Sequence, residues 1–499
     1  RVTADFTNGP RWPIAMPGVK SADDPAALYE MTYGSKVIQP GQTYVGVVPA
    51  RRKIHTEGAS KLDAILAYRM TGHKVLDPSS LIDLTTKAHI DPADNAKSTV
   101  EFTAPSGSDP WVLFTFWEQP AVQKVDGYYV IDHFSAAGAK ASNDYWEKVA
   151  FPALGANIKY VHSIFNDSLE YAVTMEWTRG MQDFFKQQHG YDITPYLPFI
   201  GMASTFPAND IPGFKTADLD LAEKVQHDFR ETLTSLYVKN HLEPMEQMAE
   251  RHGMTVRYQV AYNKPMQIED SALAVGIPET EALGRSSIDM ARYMAGAVHL
   301  AGKPFYSIET SAEFGNQYGQ SLEDLLWWNK RAWAGGVNIQ RLHGESYSGE
   351  FDGPGSVNGQ LQGQAWPGYS AFGLGVSNNW IRQTSPEALH QTLTYMARVN
   401  YIMQKTAKVD VAVYDDAPDI YDDRSTTTHG DGNAVYRDAG ILNANGFSYD
   451  FVSPAMLDLA QATLTNGRVG KEGPAYKALI VPPRYCHGDA HRRAAKGIS

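Results

Sequence analysis

Carboxylates recur through the middle of the chain, each at or just beyond a short apolar run. Asp167 and Glu170 follow the run 160–166, Glu279 and Glu281 follow 271–276, and Glu309 closes 304–309. Other polar groups occupy similar places. Asp132 and His133 end the run 128–132, Arg257, Gln259 and Tyr262 lie within 255–262, and Gln340, His343 and Glu345 lie within and after 337–343. Two carboxyl groups facing across an open mouth can divide acid–base work. One, protonated, gives a proton to a leaving oxygen, while the other, ionised, activates water or attacks carbon. Glycosidic bond cleavage needs that division, and Glu170 and Glu309 are the leading pair. Burial and mutual repulsion separate two such pKa values. Sequence does not give their spacing, so inversion and retention are both open, as is which glutamate is the acid.

Around this pair, Asp132, His133, Gln259 and His343 are candidate ligands for sugar hydroxyls, although a histidine at a strand end is equally often a hydrogen-bonded support. Asp167, Glu279 and Glu281 are further candidates. Several carboxylates converging on one mouth also suit a hard cation. The acidic run Asp415, Asp416, Asp419, Asp422 and Asp423 lacks the spacing of a 12-residue calcium loop and reads as a solvated surface loop. No organic cofactor is expected. There is no Gly-rich phosphate loop, dinucleotide fingerprint, Gly-x-Ser-x-Gly elbow or His-Glu-x-x-His helix.

These positions presuppose strands that end together. The runs 128–132, 160–166, 255–262, 271–276, 304–309 and 337–343 read as strands, with helical stretches between them that include 219–252 and 321–334. Strands alternating with helices mean parallel βα units. Six spread over more than 200 residues suit a (β/α)₈-type, TIM-like barrel, whose chemistry sits where strands end. The expectation is a multidomain α/β protein with a catalytic barrel over 126–404. A β-rich, sandwich-like lobe over 1–125 precedes it, and its earliest residues are free to join the barrel. A smaller α/β domain over 405–499 follows, with strands at 409–414 and 476–483 and a helix at 454–464. It ends so soon after its last strand that a longer parent chain stays open. Trp327 and Trp328, on a helix, read as core rather than stacking platforms, and Trp117 and Trp177 fit either role.

With 499 residues, 43% of them hydrophobic and 20% charged, the chain is a folded protein of two or three domains. Its net charge of −12, without a basic run, argues against nucleic acid and anionic membrane as partners. No stretch reaches the roughly 18 apolar residues of a membrane span. Aromatic residues make up 11%, which suits stacking on the apolar faces of sugar rings and equally suits a large core. The single cysteine, Cys486, rules out an intrachain disulfide and a Cys-based zinc site. A secreted or periplasmic bacterial location is expected, with a cytoplasmic one open.

The ordered motifs also resemble a known family, the α-L-rhamnosidases of glycoside hydrolase family 106. Phe165-Asn166-Asp167-Ser168-Leu169-Glu170 resembles its Asp-Ser-x-Glu element, and His189-Gly190-Tyr191-Asp192 with Pro195-Tyr196-Leu197-Pro198 resembles its Gly-Tyr-Asp…Pro-Tyr-Leu-Pro stretch. Arg251-His252-Gly253-Met254 with Arg257-Tyr258-Gln259, then Pro278-Glu279-Thr280-Glu281, Ser307-Ile308-Glu309-Thr310 and Ala334-Gly335-Gly336-Val337-Asn338 follow in order, over about 128–483. The resemblance implies an exo-acting, inverting hydrolase that removes terminal α-L-rhamnose from oligosaccharides or polysaccharides, often with calcium. It implies Glu170 as acid and Glu309 as base, with Asp167, Glu279 and Glu281 holding sugar or metal. No motif of the family is evident in the N-terminal 125 residues, and the long segment 346–380 is expected to shape the pocket. Two competing readings are a retaining barrel glycosidase acting on another terminal sugar and a non-catalytic carbohydrate-binding protein.

Overall fold

The computed structural model describes residues 2–5, 14–200, 213–261, 264–282, 288–311, 319–343, 385–416 and 439–481. The fold is mixed α/β and divides into two compact units. The first is Arg1–Met254 with Asn263–Gln267, and the second is Thr255–Tyr262 with Ile268–Ser499.

Six strands position the site in the first unit: β1 (Val2–Asp5), β2 (Tyr29–Ile38), β3 (Lys61–Gly72), β4 (Trp111–Pro120), β5 (Val161–Asn166) and β6 (Met175–Glu176). The run Trp111-Val112-Leu113-Phe114-Thr115-Phe116-Trp117 has no polar alternation, which marks a strand covered on both faces. Accordingly β4 is buried along its whole length, between antiparallel neighbours β2 and β3. These strands form one antiparallel sheet, and it recruits a later strand. β6 pairs with the free edge of β2, placing Glu176 opposite Glu30. The earliest residues join a parallel pair, β1 with β5, in the register Asp5↔Phe165.

The expected strand at 128–132 is corrected. Tyr128–Tyr129 pairs antiparallel with Lys124–Val125, and Val130 and Ile131 make isolated antiparallel bridges to Ala15 and Ala27. The cause is the turn. Asp126 and Gly127 both take left-handed φ, +49° and +83°, which is the two-residue hairpin connection that Asp-Gly favours. Helices α1 (Met181–His189), α2 (Leu219–Tyr237) and α3 (Glu243–Arg251) complete the part of this unit that concerns the site. A π turn, Val238–Leu242, joins α2 to α3, so the expected helical stretch 219–252 is nearly continuous.

The second unit opens with a parallel ladder: β7 (Thr255–Tyr258), β8 (Ile277–Glu281), β9 (Ser307–Thr310) and β10 (Ile339–Leu342). The expected strand at 271–276 is instead the last part of a helix, α4 (Ile268–Leu273), followed by a turn. Glu269 and Asp270 suit a helix N-terminus, and Ala272 and Leu273 are strong helix formers without β-branching. The strand starts at Ile277, so Glu279 and Glu281 lie within it, not after it. Helix α5 (Leu322–Ala334) begins with a capping box between Ser321 and Asp324. Trp328 is buried on it, as expected. A three-stranded parallel sheet closes the unit, with β11 (Val411–Tyr414) between β12 (Tyr449–Val452) and β13 (Ala478–Ile480). The sequence reading lacks β12, and the expected helix at 454–464 is a single turn, Pro454–Leu457, followed by the 3₁₀ turn Ala460–Ala462. Among the described residues no helix is long and apolar enough to cross a membrane.

Candidate active site

In the second unit the register builds the site. Parallel pairing sets Glu281 beside Glu309 and Glu309 beside Arg341, while Glu279 lies beside Ser307 one layer below. Side chains two apart on a strand share a face, so Glu279 with Glu281 and Ser307 with Glu309 point the same way. The lower layer is sealed. The Glu279 side chain is fully buried and paired with the Arg257 guanidinium, and the Ser307 hydroxyl donates to its Oε2 at 2.5 Å. The upper layer is reachable. The Glu309 carboxylate is about one-fifth exposed, accepts from Gln259 Nε2 at 2.7 Å, and lies 3.6 Å from His343 Nε2. Gln259 Nε2 also reaches Glu279 Oε1 at 3.4 Å, tying the layers together. Ser311, immediately after β9, has a left-handed φ of +70°, so the chain turns sharply beyond Glu309.

In the first unit the candidate acid sits on a loop. Beyond β5, Ser168 N–H donates to Asp167 Oδ1 at 2.8 Å, and Ser168 Oγ donates to Glu170 Oε1 at 2.9 Å. Glu170 is buried. The residues after it are fastened one by one. Ala172 N–H donates to Gln123 and Thr174 N–H to Glu30, each at 2.7 Å. Trp177 Nε1 donates to Glu118 at 2.8 Å, and Thr178 Oγ1 to Asp132 Oδ2 at 2.6 Å. The acceptors Glu30, Glu118 and Asp132 are all buried. Burial alone would raise the Glu30 carboxyl, but hydrogen bonds from His55, Gln119 and Thr174, with Lys53 nearby, bring it below its usual range.

Asp132 and His133 therefore lie differently from the sequence expectation. Burial pushes the Asp132 carboxyl up to about 6, against hydrogen bonds from Thr178 and from the Phe134 N–H. His133 is fully buried, stacked on Tyr171 at 5.3 Å and edge-on to His241 at 4.9 Å. Burial, with His241 and Lys264 adding to it, holds its imidazole well below the usual range, and burial takes His241 down to about 3. Both residues are sealed by their neighbours, which favours support of the Glu170 loop over contact with a sugar.

The expected cation ligands divide. Glu279 fits a cation poorly, because its oxygens already accept from Arg257, Ser307 and Gln259. Asp167 is half-buried and Glu281 buried. Among the described residues, His189, Asp228 and Glu231 bring ligand-type atoms within 4.8 Å of one another. Asp228 there accepts from Lys224 and from Tyr191, so the group works as a charge clamp between α1 and α2. Asp415 is not on a solvated loop as expected. It is buried at the end of β11 and accepts from the Tyr293 hydroxyl. Trp117 and Trp177 are core. Tyr262, Glu345, the segment 346–380, Asp419, Asp422 and Asp423 lie outside the described residues.

Sequence reasoning passed over Ser307, although the two-residue period from Glu309 puts it on the same face. It also passed over Arg341, Glu176 and Lys264. Lys264 stands in Asn263-Lys264-Pro265, where no periodicity marks it.

The sequence profile of glycoside hydrolase family 106, alpha-L-rhamnosidase, matches residues 59–487. Over 420 residues the chain is 23% identical to a protein of Formosa agariphila provisionally named a beta-glucuronidase, covering 82% of this chain and 32% of that protein. Its fold is similar to that of a rhamnosidase from Novosphingobium sp. PP1Y, with a TM-score of 0.60 and 14% identity, over 99% of this chain and 60% of that one. The chain thus spans about a third of the length of the curated relative and three-fifths of the solved one.

Proposed function

Because the chain belongs to the alpha-L-rhamnosidase family, glycoside hydrolase family 106, we propose that it is an exo-acting glycosidase that removes terminal α-L-rhamnose from oligosaccharides or polysaccharides with inversion. The observation that carries the reading is Glu309 at the end of β9. It is solvent-reachable, oriented by Gln259 and faced by His343, above a fully buried Arg257–Glu279 pair. A carboxylate held this way is supported as the ionised partner, the base that takes a proton from the attacking water. Glu170 is then the acid. It gives its proton to the glycosidic oxygen as the bond to the anomeric carbon breaks, and the water oxygen bonds to that carbon. Asp167, Gln259, Glu281 and His343 are the proposed sugar contacts. A (β/α)₈-type catalytic barrel, within the division 1–125, 126–404 and 405–499, and action in the periplasm or medium belong to the same proposal.

Calcium is proposed with Asp167 and Glu281 as ligands, where a hard cation would bind and orient sugar hydroxyls. Dialysis against EDTA should then lower activity, with recovery on adding calcium. Unchanged activity and melting temperature would remove the ion from the proposal.

One observation favours a second sugar. Arg341, half-buried beside Glu309, is a cation able to take a sugar carboxylate. The name of the Formosa relative points the same way. The deciding experiment is a screen of aryl glycosides that includes α-L-rhamnoside and β-D-glucuronide, with proton NMR of the first-released anomer. Release of β-L-rhamnose supports the primary reading. Release of α-L-rhamnose refutes inversion, and turnover of the glucuronide alone refutes the sugar.

A further inference from the structure

Lys264 is sequestered inside the first unit. Its side chain is fully buried, its Nζ donates to the carbonyl of Tyr171 at 2.8 Å, and it lies 3.8 Å from the centroid of the Tyr171 ring. Its ion-pair partner is Glu176, at 3.6 Å, on the edge strand β6. Tyr171 directly follows Glu170. The neighbouring tethers, from Ala172 and Thr174, hold N–H groups of this segment. Lys264 holds the Tyr171 carbonyl, the other half of the peptide group whose N–H donates to Gln123.

A buried Lys–Glu pair is an expensive way to fill space. Desolvating two charges cancels most of their attraction, and apolar residues of similar size are often as stable or more so. One task here that an apolar side chain could not perform is to hold the Tyr171 carbonyl. Burial brings the Lys264 ammonium down to about 8, and the charges of Glu176 and, less strongly, Glu170 act against that fall.

We propose that Lys264 is a positioning residue for Glu170, fixing the Tyr171–Ala172 peptide group one residue beyond the acid and keeping a buried positive charge beside this segment. The proposal rests on the reading of Glu170 as the general acid. The proton moves from Glu170 to the leaving oxygen, and Lys264 keeps its own protons throughout.

The test uses leaving-group chemistry. A 2,4-dinitrophenyl group departs without protonation, whereas a phenyl group needs the acid. Both aryl glycosides are made from the sugar that the wild-type protein cleaves, and kcat and kcat/KM are measured for Lys264→Met, Lys264→Arg, Lys264→Met/Glu176→Gln and Glu170→Gln. We expect Lys264→Met to lose about 10- to 100-fold on the phenyl glycoside and about two-fold or less on the dinitrophenyl glycoside. Lys264→Arg should recover part of the loss. The double variant removes both charges, so it keeps the comparison valid if a lone buried Glu176 impairs folding. A purely structural role would lower both substrates together. Equal losses, or no loss on either, overturn the proposal while a leaving-group-dependent Glu170→Gln keeps the acid assignment. If Glu170→Gln shows no leaving-group dependence, the acid assignment falls and the proposal falls with it.

Discussion

Glu309 and Glu170 are held by opposite means. Glu309 is held by register. Three strands set Glu281, Glu309 and Arg341 side by side, and a sealed Arg257–Glu279–Ser307 layer lies beneath. Glu170 is held by attachment. Its loop is fastened residue by residue to Gln123, to the buried carboxylates of Glu30, Glu118 and Asp132, and to Lys264. Strand pairing fixes position to within a residue, because a slip of one would turn every side chain to the other face. A loop can be placed as well only if many separate bonds over-determine it. Damage to the ladder should therefore appear as instability, and damage to the tethers as a loss of acid function with the fold intact.

The largest expected effect separates the two glutamates. Glu309→Gln should lower kcat by a factor on the order of 10³ or more on every leaving group, since water activation is needed for all of them. Near-normal turnover would sink its role. The next largest tests the ladder. Arg257→Met leaves the Glu279 carboxylate buried and unpaired by its guanidinium, and should cost about 3–5 kcal/mol in urea unfolding. Arg257→Met/Glu279→Met should recover at least half of that. If Arg257→Met costs no more than a typical surface substitution, the lower layer is not what holds β8 and β9.

The same contrast explains what was legible in the sequence. Glu309, Gln259 and His343 could be found because strand ends are written in short apolar runs, and the ladder delivers their side chains to one face. The parallel ladder, strand β4 and helices α2, α3 and α5 were legible for the same reason. Two assignments failed where local chemistry outweighed apolar content. Asp126-Gly127 turns 128–129 back into a hairpin, and residues 271–273 end a helix, with a turn over 274–276. The attachments of Glu170 were not legible at all. Glu30 and Lys264 are far from it in sequence, and only the folded lobe brings them to its loop. The burial of Asp132 and His133 was hidden for the same reason, since a polar residue at the end of a run looks identical whether a sheet covers it or water does.

A third, smaller effect tests that burial. The Asp132 carboxyl sits at about 6 in the folded protein against an ordinary 3.8, so between those values the folded state binds the proton more tightly than the unfolded state. Its favourable contribution is full below about pH 4 and is lost as pH rises through about 6. Asp132→Asn removes the titration while keeping an acceptor for Phe134 N–H. The unfolding free energy of the wild type minus that of the variant should fall by on the order of 2–3 kcal/mol from pH 4 to pH 7. A flat difference would mean that Asp132 is solvated like an ordinary carboxylate, and that the support of the Glu170 loop is looser than its hydrogen bonds indicate.

The smallest effect is the most discriminating, because it compares single hydrogen bonds on the two glutamates. Ser168→Ala removes the donor to Glu170 Oε1, and Gln259→Leu removes the donor to Glu309 Oε2. Each bond is worth roughly 1–2 kcal/mol, which is about a 5- to 30-fold change in rate. The Ser168→Ala loss should concentrate on the phenyl glycoside and nearly vanish on the dinitrophenyl one, because it acts only through the acid. The Gln259→Leu loss should be the same on both, because attack by water is common to them. Reversed patterns would exchange the acid and base roles of Glu170 and Glu309. Identical patterns would mean that the loop and the ladder serve one carboxylate, not two.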